Sequence, residues 1–224
     1  MIPWEEIDRA KIPGEKGDIT LRKRGTEFSI RIAGIELMNS RLHGSEDALG
    51  KLTCSRLKGK PNLRILIGGL GMGYTLAAAL EQSMRDTRII VSELIPAVVR
   101  WNREHLGYLA GMPLDDPRVA VEEEDVAKII RQTRSAWDAI LLDVDNGPEG
   151  LTRQANDCLY SRSGLKTSFL ALRPSGILAI WSSKADDAFT RRMNQCGFQT
   201  ETLTVRARKP GKGGKHIIWL GEKF

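Results

Sequence analysis

Histidine and cysteine are scarce in this chain, with three of each among 224 residues. His43, His105 and His216 lie far apart, and Cys54, Cys158 and Cys196 show neither paired nor metal-ligand spacing. No metal is therefore expected, and reduced thiols are expected in place of a zinc module or a disulfide framework. Long apolar runs are also missing. None approaches the roughly 18 residues of a membrane span, and the opening Met-Ile-Pro-Trp-Glu-Glu lacks a secretory core. A cytoplasmic protein with no membrane partner is the expectation. There is no internal repeat, low-complexity tract or coiled-coil heptad. Aromatic residues are 6% of the chain, and none is interleaved in its densest basic stretch, Arg206 to Lys215, where Pro210, Gly211, Gly213 and Gly214 separate the cations. Without rings for base stacking, a solvated hairpin loop is the plain reading and an RNA or phosphate contact the alternative. The net charge of +6 permits nucleic acid without requiring it, and nucleic acid is not the expected partner.

What is present is an alternation of strands and helices. Residues 18 to 38 alternate in a β manner, with Ile19 and Leu21, a turn at Arg24-Gly25-Thr26, then Phe28, Ile30 and Ile32 before Gly34 breaks the run. This predicts a small antiparallel sheet or hairpin pair that needs a larger body to pack on. Ser45 to Leu57 reads as a helix with Ser45 as its N-cap. From there, strands are expected at Ile65 to Ile67, Arg88 to Glu93, Pro117 to Glu122, Ala139 to Leu142 and Ile177 to Trp181. Helices are expected at Thr75 to Leu80, Pro96 to Leu109, Val126 to Arg134, Gly164 to Leu172 and Ala188 to Gln195. Thr202 to Val205 and Ile217 to Leu220 form a closing pair of strands around the basic loop. The expected class is α/β: a Rossmann-like, mostly parallel sheet with an antiparallel closing strand, plus a small N-terminal β segment. The expected division is residues 1–56 for the N-terminal β region with its linking helix and 57–224 for the nucleoside-binding domain.

The segment Arg64-Ile-Leu-Ile-Gly-Gly-Leu-Gly-Met-Gly-Tyr74, followed by Arg88-Ile-Ile-Val-Ser-Glu93, reads as strand, glycine turn, helix, strand and acid. Gly68, Gly69, Gly71 and Gly73 permit positive φ and close approach of a ligand to the backbone, where the helix that follows aims its free amides. Glu93, at the end of the second apolar run, is placed to accept hydrogen bonds from ribose hydroxyls. In an open parallel sheet the crevice lies outside the carboxyl ends of the strands. That edge also receives Asp125, suited to an adenine amine, and Asp143 with Asp145, suited to a cationic group beyond the nucleoside. Plainer readings stand beside these: Asp125 as a helix cap, Asp143 and Asp145 as turn residues, and Trp181 as core.

The successive motifs Ile-Gly-Gly-Leu-Gly-Met-Gly-Tyr-Thr, Ser-Glu93-Leu, Glu-Asp125-Val and Leu-Leu-Asp143-Val-Asp-Asn-Gly-Pro resemble those of class I S-adenosylmethionine-dependent transferases, in the spermidine synthase-like branch. The resemblance runs from about Arg64 to the C-terminus. It implies a methyltransferase-type sheet and, as donor, S-adenosylmethionine or its decarboxylated form. It maps the glycine loop and ribose acid onto Gly68 through Gly73 and Glu93, the adenine-contacting acid onto Asp125 and the proton acceptor onto Asp143. Asp145 and Glu149 would hold a distal cation of a small acceptor, a polyamine being the class implied, and homodimers are common in the branch. The sequence departs from the pattern in two places. Its glycine loop carries no aspartate to hold the donor's amino group, and in place of Tyr-His-Glu it has Leu42-His43-Gly44 with Glu46 two residues on. Three readings therefore stand: an aminopropyl-type transferase, a methyltransferase, and a nucleoside- or RNA-binding protein without turnover.

Overall fold

The computed structural model of the chain describes residues 2–144, 157–208 and 212–224. Five consecutive strands, β5 (Arg64–Gly68), β6 (Arg88–Ser92), β7 (Val119–Glu122), β8 (Trp137–Leu142) and β9 (Leu172–Ser182), run parallel. Two more, β10 (Phe198–Arg208) and β11 (Lys212–Lys223), close the sheet antiparallel, giving the order β10-β11-β9-β8-β5-β6-β7. The α/β class with an antiparallel closing pair is as expected.

β5 shows why the sheet is buried on both faces. Ile65 and Ile67 point into one core, shared with the N-terminal sheet, and Leu66 into a second core on the opposite face; all three are fully buried. Helices α1 (Gly44–Arg56), α2 (Tyr74–Gln82) and α3 (Pro96–Trp101) contribute to the first core. Helices α4 (Val126–Gln132), α6 (Arg162–Ala171) and α7 (Asp187–Gln195), with the short α5 (Asp157–Tyr160) before them, contribute to the second. Burial of apolar area on this scale supplies the main driving force. None of the helices among the described residues is long and apolar enough to cross a membrane.

The N-terminal unit is a four-stranded antiparallel sheet of β1 (Glu5–Lys11), β2 (Asp18–Arg24), β3 (Glu27–Ile32) and β4 (Ile35–Asn39), in that order. Its alternation of Ile19, Leu21, Phe28 and Ile30 toward the first core is the expected pattern. β1 was not expected, because Glu-Glu-Ile-Asp-Arg-Ala-Lys carries too few apolar residues to signal a strand. It is held by its ladder to β2 and by Asp8, whose Oδ2 accepts from Trp101 Nε1 at 2.7 Å and from Arg100 at 2.5 Å. Those bonds hold the Asp8 carboxyl below the usual carboxylate range.

Three local expectations are corrected. The cap of α1 is His43 and not Ser45, which is buried inside the first turn with its hydroxyl turned to Glu46. The helix expected over 96–109 is α only to Trp101, then a π turn over Asn102–Leu106 and a 3-10 turn over Gly107–Ala110. Here the Asn102 amide donates sideways to Gly71 O and Val98 O at 2.8 and 2.9 Å, tying this stretch to the glycine loop. Finally, β10 and β11 extend far beyond the expected closing pair, so most of the basic stretch lies in the arms of the hairpin; its tip, 209–211, falls outside the described residues.

Candidate active site at the carboxyl edge of the sheet

The glycine loop follows β5 and is pinned from both sides. Gly69 N donates to Ser92 O, and Asp143 N donates to Gly68 O, each at 2.9 Å. Gly69, Gly71 and Gly73 all have positive φ, and Gly73 is the left-handed residue on which α2 begins. A Cβ on Gly68 would lie 2.9 Å from Val126 at the head of α4, and one on Gly71 would lie 2.6 Å from the Met38 methyl of β4. The N-terminal sheet thus reaches over the loop, and the two units enclose a cavity of about 430 Å³.

The expected donor-site residues converge there. Glu93 is buried, and its two carboxylate oxygens accept from Leu70 N and Ile95 N, both at 2.9 Å. Burial raises its pKa, while the backbone donors oppose the rise. Each oxygen has a second lone pair, so the group can brace the loop and still accept from a ligand. Asp125 lines the cavity and also caps α4, accepting from Ala127 N at 2.8 Å; the plainer reading of that residue holds alongside the ligand-facing one. Asp143 sits at the end of β8, where its Oδ2 accepts from the Thr75 hydroxyl at 2.6 Å. Asp145 and Glu149 lie outside the described residues.

Residues given no ligand-facing role from sequence complete the wall. Glu46, in the first turn of α1, is buried beside Asp143, and burial together with the Asp143 charge pushes its pKa up to about 7. Burial pushes Asp143 up to about 6. In sequence Glu46 stands only as the acid two residues past Leu42-His43-Gly44, and the packing of α1 against α2 turns it into the cavity. His216 of β11 and Trp181 of β9 line the same side, edge to face at 4.8 Å. Trp181 is half-buried: it packs against the first core, as read from sequence, and also lines the cavity.

Six acids line the cavity: Glu36, Glu46, Glu93, Glu124, Asp125 and Asp143. Neither lysine nor arginine does among the described residues, although the chain carries a net charge of +6. Glu36 and Glu124 are paired with Arg31 and Lys128 outside the lining, and the remaining acids favour a cationic ligand over a carboxylate. Among the described residues no cluster of metal-ligating side chains is found.

The raised pair sets a pH dependence of stability. Between the ordinary carboxylate value near ~4 and the raised values, the native state binds more protons than the unfolded chain, so stability falls as pH rises through that window. The melting temperature of the protein without ligand is expected to drop between about pH 4 and pH 7 through this pair, and Glu46→Gln should flatten that drop. A thermal-shift series across pH tests this; an unchanged slope in the variant would show that Glu46 is not the group titrating.

No protein-family model matches the chain. It is 34% identical over 128 residues to polyamine aminopropyltransferase 2 of Pseudomonas aeruginosa, covering 54% of this chain and 33% of that protein. It is 32% identical over 119 residues to the polyamine aminopropyltransferase of Clostridium perfringens, covering 53% of this chain and 40% of that one. The chain therefore matches well under half the length of these curated relatives. Among solved structures, spermidine synthase from Thermotoga maritima superposes with a TM-score of 0.76 at 17% identity, over 98% of this chain and 73% of that one. A spermidine synthase in complex with the transition state analogue AdoDATO gives 0.75 at 17% identity, over 98% and 72%. The resemblance noted in the motifs thus extends to the whole architecture.

Proposed function

We propose that this spermidine synthase-like chain is an aminopropyl-type transferase, which takes decarboxylated S-adenosylmethionine as donor and a small polyamine-like amine as acceptor. The observation that carries the reading is the acid-lined cavity, to which no lysine or arginine contributes among the described residues. Decarboxylated S-adenosylmethionine is a sulfonium with a free ammonium and no carboxylate, so every charge it brings meets a complementary wall. S-adenosylmethionine itself would bring a carboxylate among the same acids. The curated relatives, named as polyamine aminopropyltransferases, support the same choice.

In this reading the amides and glycines of residues 68–73 receive the nucleoside, Glu93 accepts from the ribose hydroxyls and Asp125 from the adenine amine. Asp143 holds the attacking amine. The amine nitrogen forms a bond to the methylene next to the sulfonium, the carbon–sulfur bond breaks with its electron pair going to sulfur, and methylthioadenosine leaves. Alignment supplies much of the rate in such a displacement. The remaining obstacle is the proton: an ammonium near ~10 facing an ordinary carboxylate near ~4 must lose it uphill by roughly 8 kcal/mol. Against the buried pair, Asp143 at about 6 and Glu46 at about 7, the gap falls to roughly 4 to 5 kcal/mol. Burial thus makes either acid a better base, with Asp143 the anion that holds the amine. The distal contacts assigned to Asp145 and Glu149, the cytoplasmic setting and a homodimeric state remain parts of the same proposal.

Calorimetric titration with decarboxylated S-adenosylmethionine, S-adenosylmethionine, methylthioadenosine and NAD, followed by product analysis with putrescine or spermidine, tests the reading. Tighter binding of the decarboxylated donor and a lengthened amine product are expected. Preference for S-adenosylmethionine with a methylated product would make the chain a methyltransferase, and binding without any product would make it a nucleoside-binding protein. Glu93→Ala is expected to weaken methylthioadenosine binding by more than about tenfold, since it removes charge-assisted bonds to the ribose and releases the loop amides.

A further inference from the structure

A single line of hydrogen bonds leads away from the buried acids. Ser45 Oγ lies 2.5 Å from Glu46 Oε2, and His216 Nδ1 lies 2.8 Å from the same Ser45 Oγ. Three residues from two remote parts of the chain, the first turn of α1 and the middle of β11, are thus joined in one row. His216 is half-buried and lines the cavity wall. Among the described residues Asp143 has no such line: its hydrogen-bonded side-chain partner is the Thr75 hydroxyl, which turns otherwise to the Glu46 backbone carbonyl at 3.3 Å. Of the two buried acids, Glu46 alone among the described residues is connected by hydrogen bonds to a group able to exchange a proton with water.

We propose that Glu46 is the proton outlet of this site, taking one proton from the acceptor amine and passing it through the Ser45 hydroxyl to His216. The inference rests on the amine-transfer reading above. An N–H bond of the bound ammonium breaks, its electron pair stays on nitrogen as the nucleophile, and the proton goes to the Glu46 carboxylate. Neutral Glu46 then donates to Ser45 Oγ while the Ser45 proton moves to His216 Nδ1. The imidazolium sheds its Nε2 proton to water, and tautomer exchange resets the row. The geometry fits both ends of this cycle. With Glu46 ionised the bonds run from His216 through Ser45 to Glu46, and with Glu46 neutral they run the other way. Serine is the residue type this demands, because a hydroxyl can accept and donate at once. The titratable groups packed around Glu46 are Asp143 at the end of β8, His43 and Asp47 at the start of α1, Tyr74 at the start of α2, and His216 itself. Asp143 is the near anion, and its charge favours a proton on Glu46. Burial holds the His216 imidazole below its ordinary value, which favours release of the proton once it arrives.

Two measurements test the relay. In the first, the three histidines are titrated by NMR in the intact protein and in Glu46→Gln. Loss of the Glu46 charge should lower the His216 titration by about half a pH unit or more, and an unmoved His216 overturns the relay whether or not any amine is turned over. In the second, His216→Ala is assayed with decarboxylated S-adenosylmethionine and putrescine. A fall in kcat of roughly 100-fold is expected, with donor KM little changed and the rate restored in proportion to added imidazole. A rate that does not fall, or that falls and ignores imidazole, overturns the proposal. If the unaltered protein transfers no aminopropyl group at all, the functional reading fails on that result, while the NMR coupling still decides whether the row conducts a proton.

Discussion

Asp143→Asn is expected to lower kcat by roughly 100- to 1000-fold while leaving methylthioadenosine affinity within about twofold. Asparagine has the same shape and can still accept the Thr75 hydroxyl hydrogen bond of 2.6 Å. The backbone of residue 143, which donates to Gly68 O and packs its own carbonyl against Gly69, is untouched. The donor pocket therefore keeps its form. What disappears is the negative charge that, in the proposed reaction, holds the amine and offsets the positive charge formed on nitrogen as it attacks. A loss of this size is about 3 to 4 kcal/mol of transition-state stabilisation. Steady-state kinetics with calorimetry of the product nucleoside separates the two effects: turnover preserved within about threefold would remove Asp143 from the chemistry, and lost nucleoside affinity would make it a structural residue. Because the variant also removes an ionisable group that burial disfavours as an anion, it should be more stable than the parent above about pH 7.

The residues legible in sequence share one property: each is announced by its neighbours along the chain. The glycines are read from the apolar run before them and the helix after them, and Glu93 and Asp143 from the strands they terminate. The alternation of strand and helix then brings those ends to one edge without any knowledge of packing. The places of Glu46 and His216 in the cavity are illegible for the opposite reason. Glu46 stands in a helix outside the Rossmann repeat, and its importance comes from the face of α1 that α2 selects. His216 lies on an antiparallel strand whose register against β9 pairs Ile217 with Ser182 and Ile218 with Trp181. Their meeting through Ser45 spans 171 positions, a distance at which local periodicity carries no information. The error at Ser45 has the same root. Serine three residues before an apolar helical face is a good cap signal, but the chain enters α1 two residues earlier, at His43, and the hydroxyl is drawn inward to two polar groups. The lost regularity after Trp101 is likewise tertiary, since the Asn102 amide serves the glycine loop.

Gly69→Ala should be among the most destabilising single substitutions in this chain, and contrast with Gly34→Ala shows why. Both glycines have positive φ, at 88° and 79°, so an alanine at either costs about 1 to 2 kcal/mol in backbone strain. At Gly34 that is nearly the whole cost, because nothing lies within 4 Å of the new Cβ. At Gly69 the Cβ would lie 2.3 Å from the Asp143 carbonyl oxygen, which is backbone and is anchored by the bond from Asp143 N to Gly68 O. Either β8 must separate from the loop or the loop must lift, and overpacking of that kind adds about 1 to 3 kcal/mol or more. A total of roughly 2 to 5 kcal/mol lowers the melting temperature of a domain of this size by about 4 to 20 °C. Gly34→Ala should lower it by only a few degrees, at ~2 to 4 °C per kcal/mol. Donor binding should follow the same order, because moving the Gly69 amide also moves Leu70 N away from Glu93, to which it donates at 2.9 Å. Equal melting temperatures for the two variants would mean that the close approach of loop and strand is not what holds this edge of the sheet together. A large loss of stability at Gly69 with full nucleoside affinity would instead show that the loop carries the fold but not the ligand.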